Sequence, residues 1–395
     1  MPVSIKNPRN SPVRVANNQP EPPPADEGGL GISDPTRRQR LRLPPGVDSE
    51  GLYRTAAIID FLSLNVLTAS FLRDTFCPKV VEHLSEHVWI DYVTYGQRKR
   101  LAPFVSHYAK GSVVPREKYR THIFTPPKVA PIRVLTSDDL YSRAPNALEG
   151  MHDAEVLLED LMTLDMMIQK TEEWMTAKLL FEGTVPCIDF DTGRLLSTID
   201  YGTPIETVID KPWDDPTAQP LTHLKACMRL VGAEAGAGVD TIVMGKTAAD
   251  LFENHESVLN MFNKLFVKAG ELTPKMSETG VYNIGNYRGI DIVADEQSFV
   301  NKAGDTEYYV PEDVVLVGVS KAGGGFSYGA IGQKMQDADR LELIPGRRVP
   351  LIWFPENSDV RKLRLACRPA PISPFKETWT YFHTTTQTPL ARKAA

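Results

Sequence analysis

Three stretches of this 395-residue chain hold residues whose types and spacing could do chemistry. Gly245-Lys246-Thr247 follows an apolar run and precedes a helical pattern, the setting of a loop that cradles phosphate. That loop needs a glycine five residues before Gly245 and a flexible interior. Asp240 stands at the glycine position and Ile242-Val243-Met244 reads as strand, so phosphate binding is not expected. Ala322-Gly323-Gly324-Gly325 lies between two β-like runs, where three glycines ordinarily mean a tight turn. His83 and His87, four apart, would share a helical face, but the Glu of H-E-x-x-H is missing, and Glu82 and Glu86 read as surface. Cys77, Cys187, Cys227 and Cys367 are far apart, with no C-x-x-C and no histidine at zinc spacing. No G-x-S-x-G occurs, and the carboxylates are dispersed. The expectation is a protein without catalytic residues, cofactor or metal, and not an enzyme.

Composition narrows the classes further. The chain is long enough for two units with real cores, and 42% hydrophobic content is that of an ordinary globular protein. Cysteine usage fits a reducing compartment. No apolar run approaches the roughly 20 residues that span a bilayer, and the N-terminus lacks a basic block followed by an apolar one. A net charge of −6 argues against a protein that neutralises phosphates over a broad basic face. Contact with nucleic acid is expected to be local.

The elements that would position a working surface come next. Ten prolines punctuate the first fifty residues, which hold few large apolar side chains and cannot fold alone. Fully extended, they could reach on the order of 150 Å. This arm, with its basic cluster Arg37, Arg38, Arg40 and Arg42, is expected to lie across neighbouring subunits. Ala56, Ile59, Leu62 and Val66 mark a short amphipathic helix within Gly51 to Asp74. Val88 to Tyr95 and Tyr119 to Thr125 are β-like runs around a long polar stretch, with the basic residues Arg98, Lys99, Arg100, Lys110, Arg116, Lys118 and Arg120. A two-stranded hairpin of that length is marginal in water unless it rests on another surface.

A long helix is expected from an Asn146 cap, with Glu149 completing a capping box and Gly183 past the end. Leu157, Leu161, Leu164, Ile168, Met175 and Leu179 form its apolar stripe. Leu158, Met162, Met166 and Met167 widen the stripe beyond a coiled-coil seam, which suits a helix laid on a sheet. Glu149, Asp153, Glu155, Glu159 and Asp160 put acid near its N-terminal end. Val185 to Phe190 and Leu195 to Tyr201 form a hairpin around Asp191-Thr192-Gly193-Arg194. Leu221, Leu224, Met228 and Val231 mark a helix, Asp240 to Met244 a buried strand, Ala248 to Phe266 more helix, and Tyr287 to Ala294 and Tyr308 to Pro311 strands. From Pro311 to His383 short runs (Asp313 to Ser320, Phe326 to Ile331, Arg361 to Arg368, Phe375 to His383) alternate with proline corners.

The order of these parts carries a resemblance. Its markers are Leu72-Arg73-Asp74-Thr75-Phe76 before the Val88 strand, a hairpin ending in Phe124-Thr125-Pro126, the long acidic helix, Thr241 to Met244 followed by Ala248 to Phe252, and Tyr308 to Gly318. Tyr328-Gly329-Ala330-Ile331, Asp337-Ala338-Asp339, the Trp353 region, Arg361 and Ala370-Pro371-Ile372 complete them. Collinear from about Tyr53 to Thr385, this series resembles the major capsid protein family of lambda-like tailed bacteriophages, and through it the HK97-like capsid fold.

The resemblance implies an α+β chain divided into a proline-rich N-terminal arm (1–52), an N-terminal helix segment (53–87), an E-loop over an adjacent subunit (88–133) and a peripheral domain with a spine helix (134–213). An axial domain (214–311) and C-terminal strands completing both domains (312–395) would follow. It implies a structural major capsid protein that self-assembles into hexamers and pentamers of an icosahedral phage head around double-stranded DNA. The alternative is an encapsulin-like or gene-transfer-agent shell of the same fold. Implied partners are further copies, a decoration protein, a portal, and packaged DNA held on the inner face without sequence specificity. No long helical extension precedes the body, so scaffolding is expected from a separate protein. No membrane is expected, and the location is the virion capsid, with assembly in the host cytoplasm. The arm is an addition to the family pattern. Candidate intersubunit contacts are Arg37, Arg38, Arg98, Lys99, Arg100, Arg116 and Lys118.

Overall fold

The computed structural model describes residues 70–93, 104, 105, 107, 119–136, 149–189, 192–264, 270–271, 275–276, 281–301, 304–334, 340–355, 360–373 and 376–385, all within one unit spanning 44–395. Helix α1 (Phe71–Phe76) ends before Pro78, and β1 (Lys79–Glu82) follows. The expected positions Ala56, Ile59, Leu62 and Val66 lie outside the described residues. β2 (Val88–Val93) and β3 (Tyr119–Phe124) pair antiparallel from Val88 opposite Phe124 to Val93 opposite Tyr119, the expected hairpin. β4 (Ile132–Thr136) leaves it for another sheet, so Ile132 and Arg133 pair with Arg364 and Leu363.

Helix α2 (Glu149–Phe181) has 33 residues, about 50 Å at 1.5 Å per residue. Asn146 lies outside the described residues, but the glycine stop is as expected. Gly183 has φ +69°, its N–H donates to the Lys178 and Leu179 carbonyls, and a Cβ there would lie 2.2 Å from the Gly202 carbonyl oxygen. All six stripe residues are buried, with Leu158 and Met162 beside them. Asp160, Asp165, Gln169, Glu172 and Glu173 are buried too, so the helix is enclosed by more than one neighbour.

β5 (Thr184–Ile188) and β6 (Leu195–Asp200) form the second expected hairpin. Helix α3 (Pro220–Ala235), β7 (Thr241–Met244), helices α4 (Lys246–Asn254) and α5 (Glu256–Lys264), and strands β8 (Gly270–Glu271) and β9 (Lys275–Met276) follow. The single strand expected from Tyr287 to Ala294 is corrected: β10 (Val281–Tyr287) and β11 (Ile290–Asp295) are joined by a two-residue turn. Arg288 (φ 57°) and Gly289 (φ 83°) both take left-handed backbone, the mirror-image turn that suits the twist of a hairpin. Arginine in place of Asn or Asp before the glycine hid the signal.

β12 (Ser298–Val300), β13 (Thr306–Tyr308), β14 (Val314–Gly318), β15 (Gly325–Tyr328), β16 (Ile331–Lys334), β17 (Leu341–Ile344), β18 (Val349–Trp353), β19 (Val360–Ala366), β20 (Pro369–Ile372) and β21 (Trp379–His383) complete the order. The run expected from Phe326 to Ile331 divides at Gly329 and Ala330, whose N–H groups donate to the Arg368 and Ser85 carbonyls. A Cβ on Gly329 would lie 2.7 Å from the Glu86 carbonyl oxygen, so the close approach requires glycine. β17 and β18 are strands that the sequence pattern did not indicate.

Two cores result. The larger is a sheet in the order β21-β14-β7-β11-β10-β8, with β9 also on β10. Every residue of β14 is buried, as expected of an unbroken apolar run. Trp213 fills the centre, its ring 5.8 Å from Phe252 and 5.6 Å from Phe382, and its Nε1–H donates to His223 Nδ1 at 3.1 Å. The second core gathers around α2. The three-stranded sheet β18-β19-β4 buries Arg361, Leu363 and Leu365 of β19, and the sheet β1-β15-β20 adds Phe326, Tyr328 and Ala370. The cores are tied where Trp379 Nε1–H donates to the Leu180 carbonyl at 3.2 Å. No described helix is long and apolar enough to cross a membrane.

Candidate functional site

The positions that could have done chemistry are taken up by structure. Gly245 caps α4, donating its N–H to the Val314 carbonyl, and a Cβ there would lie 2.1 Å from the Pro311 carbonyl oxygen. The Ala248 N–H donates to the Glu312 carbonyl, and Thr247 Oγ1–H donates to Glu312 Oε2 at 3.2 Å. A carboxylate therefore stands where a phosphate loop would need an anion's place. Gly323 (φ +95°) turns the chain between β14 and β15, and a Cβ on Gly325 would meet the Lys79 carbonyl oxygen at 2.5 Å because β1 runs parallel to β15.

The histidine pair is not helical, since Val80 and Val81 extend along β15 instead. His83 Nε2 lies 3.4 Å from Ser327 Oγ, and His87 Nδ1 lies 2.7 Å from Thr125 Oγ1. Among the described residues no three His, Cys, Asp or Glu side chains are grouped to hold a metal ion. Burial pushes the Cys77 and Cys367 thiols up to about 12 and Cys227 up to about 11, away from thiolate reactivity. A cleft of about 680 Å³ between Pro127–Ile132, α2 and the β5–β6 hairpin is lined mainly by Trp174, Met167, Met175 and prolines, with no array of titratable groups.

A buried ionic cluster joins α2 to α1, β15 and the residues that lead into β18. Glu172, fully buried on α2, accepts from Arg348 Nη1 at 2.7 Å and from the Tyr328 hydroxyl at 2.8 Å. Arg73 Nε lies 3.3 Å and Arg347 Nη2 3.5 Å from its other oxygen. Arg348 Nε also reaches Asp165 Oδ1 at 2.5 Å, and Asp165 Oδ2 accepts from Gln169 Nε2 at 2.6 Å. Burial alone would raise the Glu172 carboxyl, but the guanidinium of Arg348, then those of Arg73 and Arg347, hold it down at about 2.

The next residue does a different task. Glu173 accepts from the Leu72 and Arg73 N–H groups at 2.7 and 3.0 Å, capping α1 where Ser70 makes no side-chain cap. Burial pushes its carboxyl up to about 8, against those two bonds. On the other side, Arg133 Nη1 donates to Asp160 Oδ1 at 2.8 Å and holds β4 to α2. Together these contacts fix α1, ahead of the hairpin, and β4, after it, onto the long helix.

The hairpin between them presents an unburied apolar pair. Trp89 and Ile123 face each other across β2 and β3, with 63% and 68% of their surface exposed. Leu84, Phe104, Ile132 and Val134 nearby in sequence are exposed as well, as are Leu341 and Leu343 on β17. The Trp89–Ile123 pair set face to face on one ribbon is an apolar surface available to a partner. Sequence reading did not single out Trp89 and Ile123. The available signal was Val88-Trp89-Ile90, three apolar residues in succession that a ribbon with one buried face cannot all use. The expected contact residues Arg37, Arg38, Arg98, Lys99, Arg100, Arg116 and Lys118 lie outside the described residues.

Comparison with known proteins gives a family and a fold. Residues 55–378 match the sequence pattern of the family described as phage major capsid protein E. The fold is similar to that of a chain assigned as a prophage capsid protein of E. coli CFT073, with a TM-score of 0.58 and 12% identity over 84% of this chain and 99% of that one. It is also similar to a phage-related protein of Bordetella bronchiseptica RB50, with a TM-score of 0.52 and 9% identity over 83% of this chain and 96% of that one. These likenesses establish an HK97-like α+β fold. No curated protein sequence matches the chain.

Proposed function

This chain belongs to the phage major capsid protein E family, and on that premise we propose that its β2–β3 hairpin and its proline-rich arm are the segments by which copies hold one another. The protein is a structural one, whose copies self-assemble into the icosahedral capsid of a bacteriophage. Its family role is that of a shell component rather than a catalyst.

The observation that carries the proposal is the exposed Trp89–Ile123 pair on a ribbon whose flanking elements, α1 and β4, are held to α2 through Glu172 and Asp160. A ribbon held at its flanks and apolar at its surface is suited to lie on a neighbour. On this reading residues 88–133 are the E-loop, 134–213 the peripheral domain and 214–311 the axial domain, with 312–395 completing both. The arm, 1–52, acts as a clamp across subunits. A separate scaffolding protein, a portal and a decoration protein complete the assembly in the host cytoplasm, and the inner face holds DNA without reading its sequence.

Changing Arg98, Lys99 and Arg100 together to Glu tests the hairpin's part. Sedimentation velocity is expected to show the fast shell boundary of the unchanged chain replaced by subunits or capsomers, with far-ultraviolet circular dichroism unaltered. Shells at the unchanged yield would remove these three residues from the interface.

A further inference from the structure

We propose that Lys128, Arg364 and Arg368 of one copy receive Asp250, Glu253 and Glu296 of a neighbouring copy, a head-to-tail ionic contact that joins the base of one hairpin to the β7–β11 sheet of the next subunit. The proposal rests on the shell reading above and names the partner surface within it.

The cationic side is fixed by strand pairing. Val129 and Cys367 exchange both backbone hydrogen bonds at 2.9 Å, which sets Lys128 opposite Arg368 as the next pair of the antiparallel ladder. Arg364, four residues before Arg368, emerges on the same side, the one opposite the buried Leu363 and Leu365. Among the described residues the one carboxylate paired there is Glu86, 3.3 Å from Arg368 Nη2, while Arg364 Nη2 donates to Gln333 Oε1 at 3.2 Å. The Nε–H groups of Arg364 and Arg368 are buried and have no acceptor among the described residues. Burial, and then the two guanidinium groups, lower the Lys128 amine from its ordinary value. Among the described residues three cations thus share one carboxylate, an arrangement that is unfavourable in a free subunit and is relieved by incoming acid.

The acidic side mirrors it. Asp250 and Glu253 are three apart on α4 and share a face, and Glu296 follows β11, the strand paired with β7. Burial, Asp250 and Glu296 raise the Glu253 carboxyl while Tyr282 lowers it, and no cation is among the groups acting on it. Glu253 Oε1 is buried without a donor among the described residues. Several other ionisable groups are paired within the chain: Asp210 with His223, Asp313 with His383, Asp160 with Arg133, and Glu172 with its arginines. Two mismatched patches of opposite sign on different parts of one chain fit each other across a heterologous interface, the type that closes copies into rings. The basic stretch of the hairpin, Arg98 to Lys118, has the wrong sign to occupy the cationic patch.

Carbodiimide coupling, which joins an amine to a carboxylate it already touches, tests the pairing in assembled shells made from equal parts of light and nitrogen-15-labelled protein. Mass spectrometry is expected to find Lys128 joined to Asp250, Glu253 or Glu296 in mixed-isotope peptides. Lys128 joined to Glu86 of its own chain alone, to another carboxylate, or to none overturns the proposal while leaving the shell reading standing. DNA phosphate as the occupant gives the last of these results. A charge exchange supplies the second arm. Arg364→Glu with Arg368→Glu is expected to lower shell yield at least about tenfold, and adding Asp250→Lys with Glu253→Lys to restore it. A folded four-substitution chain that stays unassembled contradicts the contact. If that chain does not fold, the coupling result decides.

Discussion

Replacing Glu172 with alanine is expected to lower the unfolding free energy of the subunit by roughly 3–5 kcal/mol, because it leaves buried cations without their partner. Arg348 has 7% of its side chain exposed and its two acidic partners are Glu172 and Asp165, so the loss cannot be made good by water. Replacing both Glu172 and Arg348 with methionine should cost less than the sum of Glu172→Met and Arg348→Met made singly, since each single change leaves the other's buried charge without this partner. Denaturant unfolding of the full chain and these variants measures both terms. A Glu172→Ala subunit within about 0.5 kcal/mol of the unchanged one would show that the cluster does not hold these elements together.

The same carboxylate sets an acid limb. Its folded pKa, near 2, lies below the ordinary glutamate value of 4.5, so its contribution is fully present above about pH 4.5 and is lost as pH falls from there towards 2. The Glu172→Ala subunit should be less stable at neutral pH and should lose less of its remaining stability over that interval.

Aspartate at both Trp89 and Ile123 is expected to leave the subunit folded and to abolish shells. Both side chains are more than half exposed in the subunit, where polar replacements usually change stability by no more than about 0.5 kcal/mol. Covered by a neighbour, each is worth about 1.5–3 kcal/mol, and two buried aspartates would add a cost of their own. Because the contact recurs in every copy, a loss of this size shifts assembly by more than about a hundredfold in the association constant. Light scattering on matched concentrations reads the result. Normal shells from the double variant would mean that the pair faces solvent in the assembled state.

The parts of this architecture that follow from local rules were legible in the sequence. The width of the apolar spread from Leu157 to Leu179, the glycine stop at Gly183 and the strands flanking the basic stretch needed no knowledge of distant residues. The ionic cluster was not legible, because its members are brought together by the fold alone. Glu172 and Arg348 are 176 residues apart, and Glu173 caps a helix 100 residues before it. Asp160 was read as acid favoured near a helix start, whereas its carboxylate holds Arg133 of β4. Acidic residues within an apolar stripe look like solvated positions until a second layer covers them. The parallel pairing of β1 with β15 was hidden for a related reason: Lys79 to Glu82 is too short to announce a strand, and its partner lies in the last quarter of the chain.

The central claim is that this chain builds a closed shell, and electron microscopy of the purified full-length protein tests it most directly. Closed particles of uniform diameter, with hexameric and pentameric clusters and each β2–β3 hairpin lying across an adjacent subunit, are the predicted result. Folded subunits that remain separate, or that join only into open, irregular aggregates under every assembly condition, would contradict it.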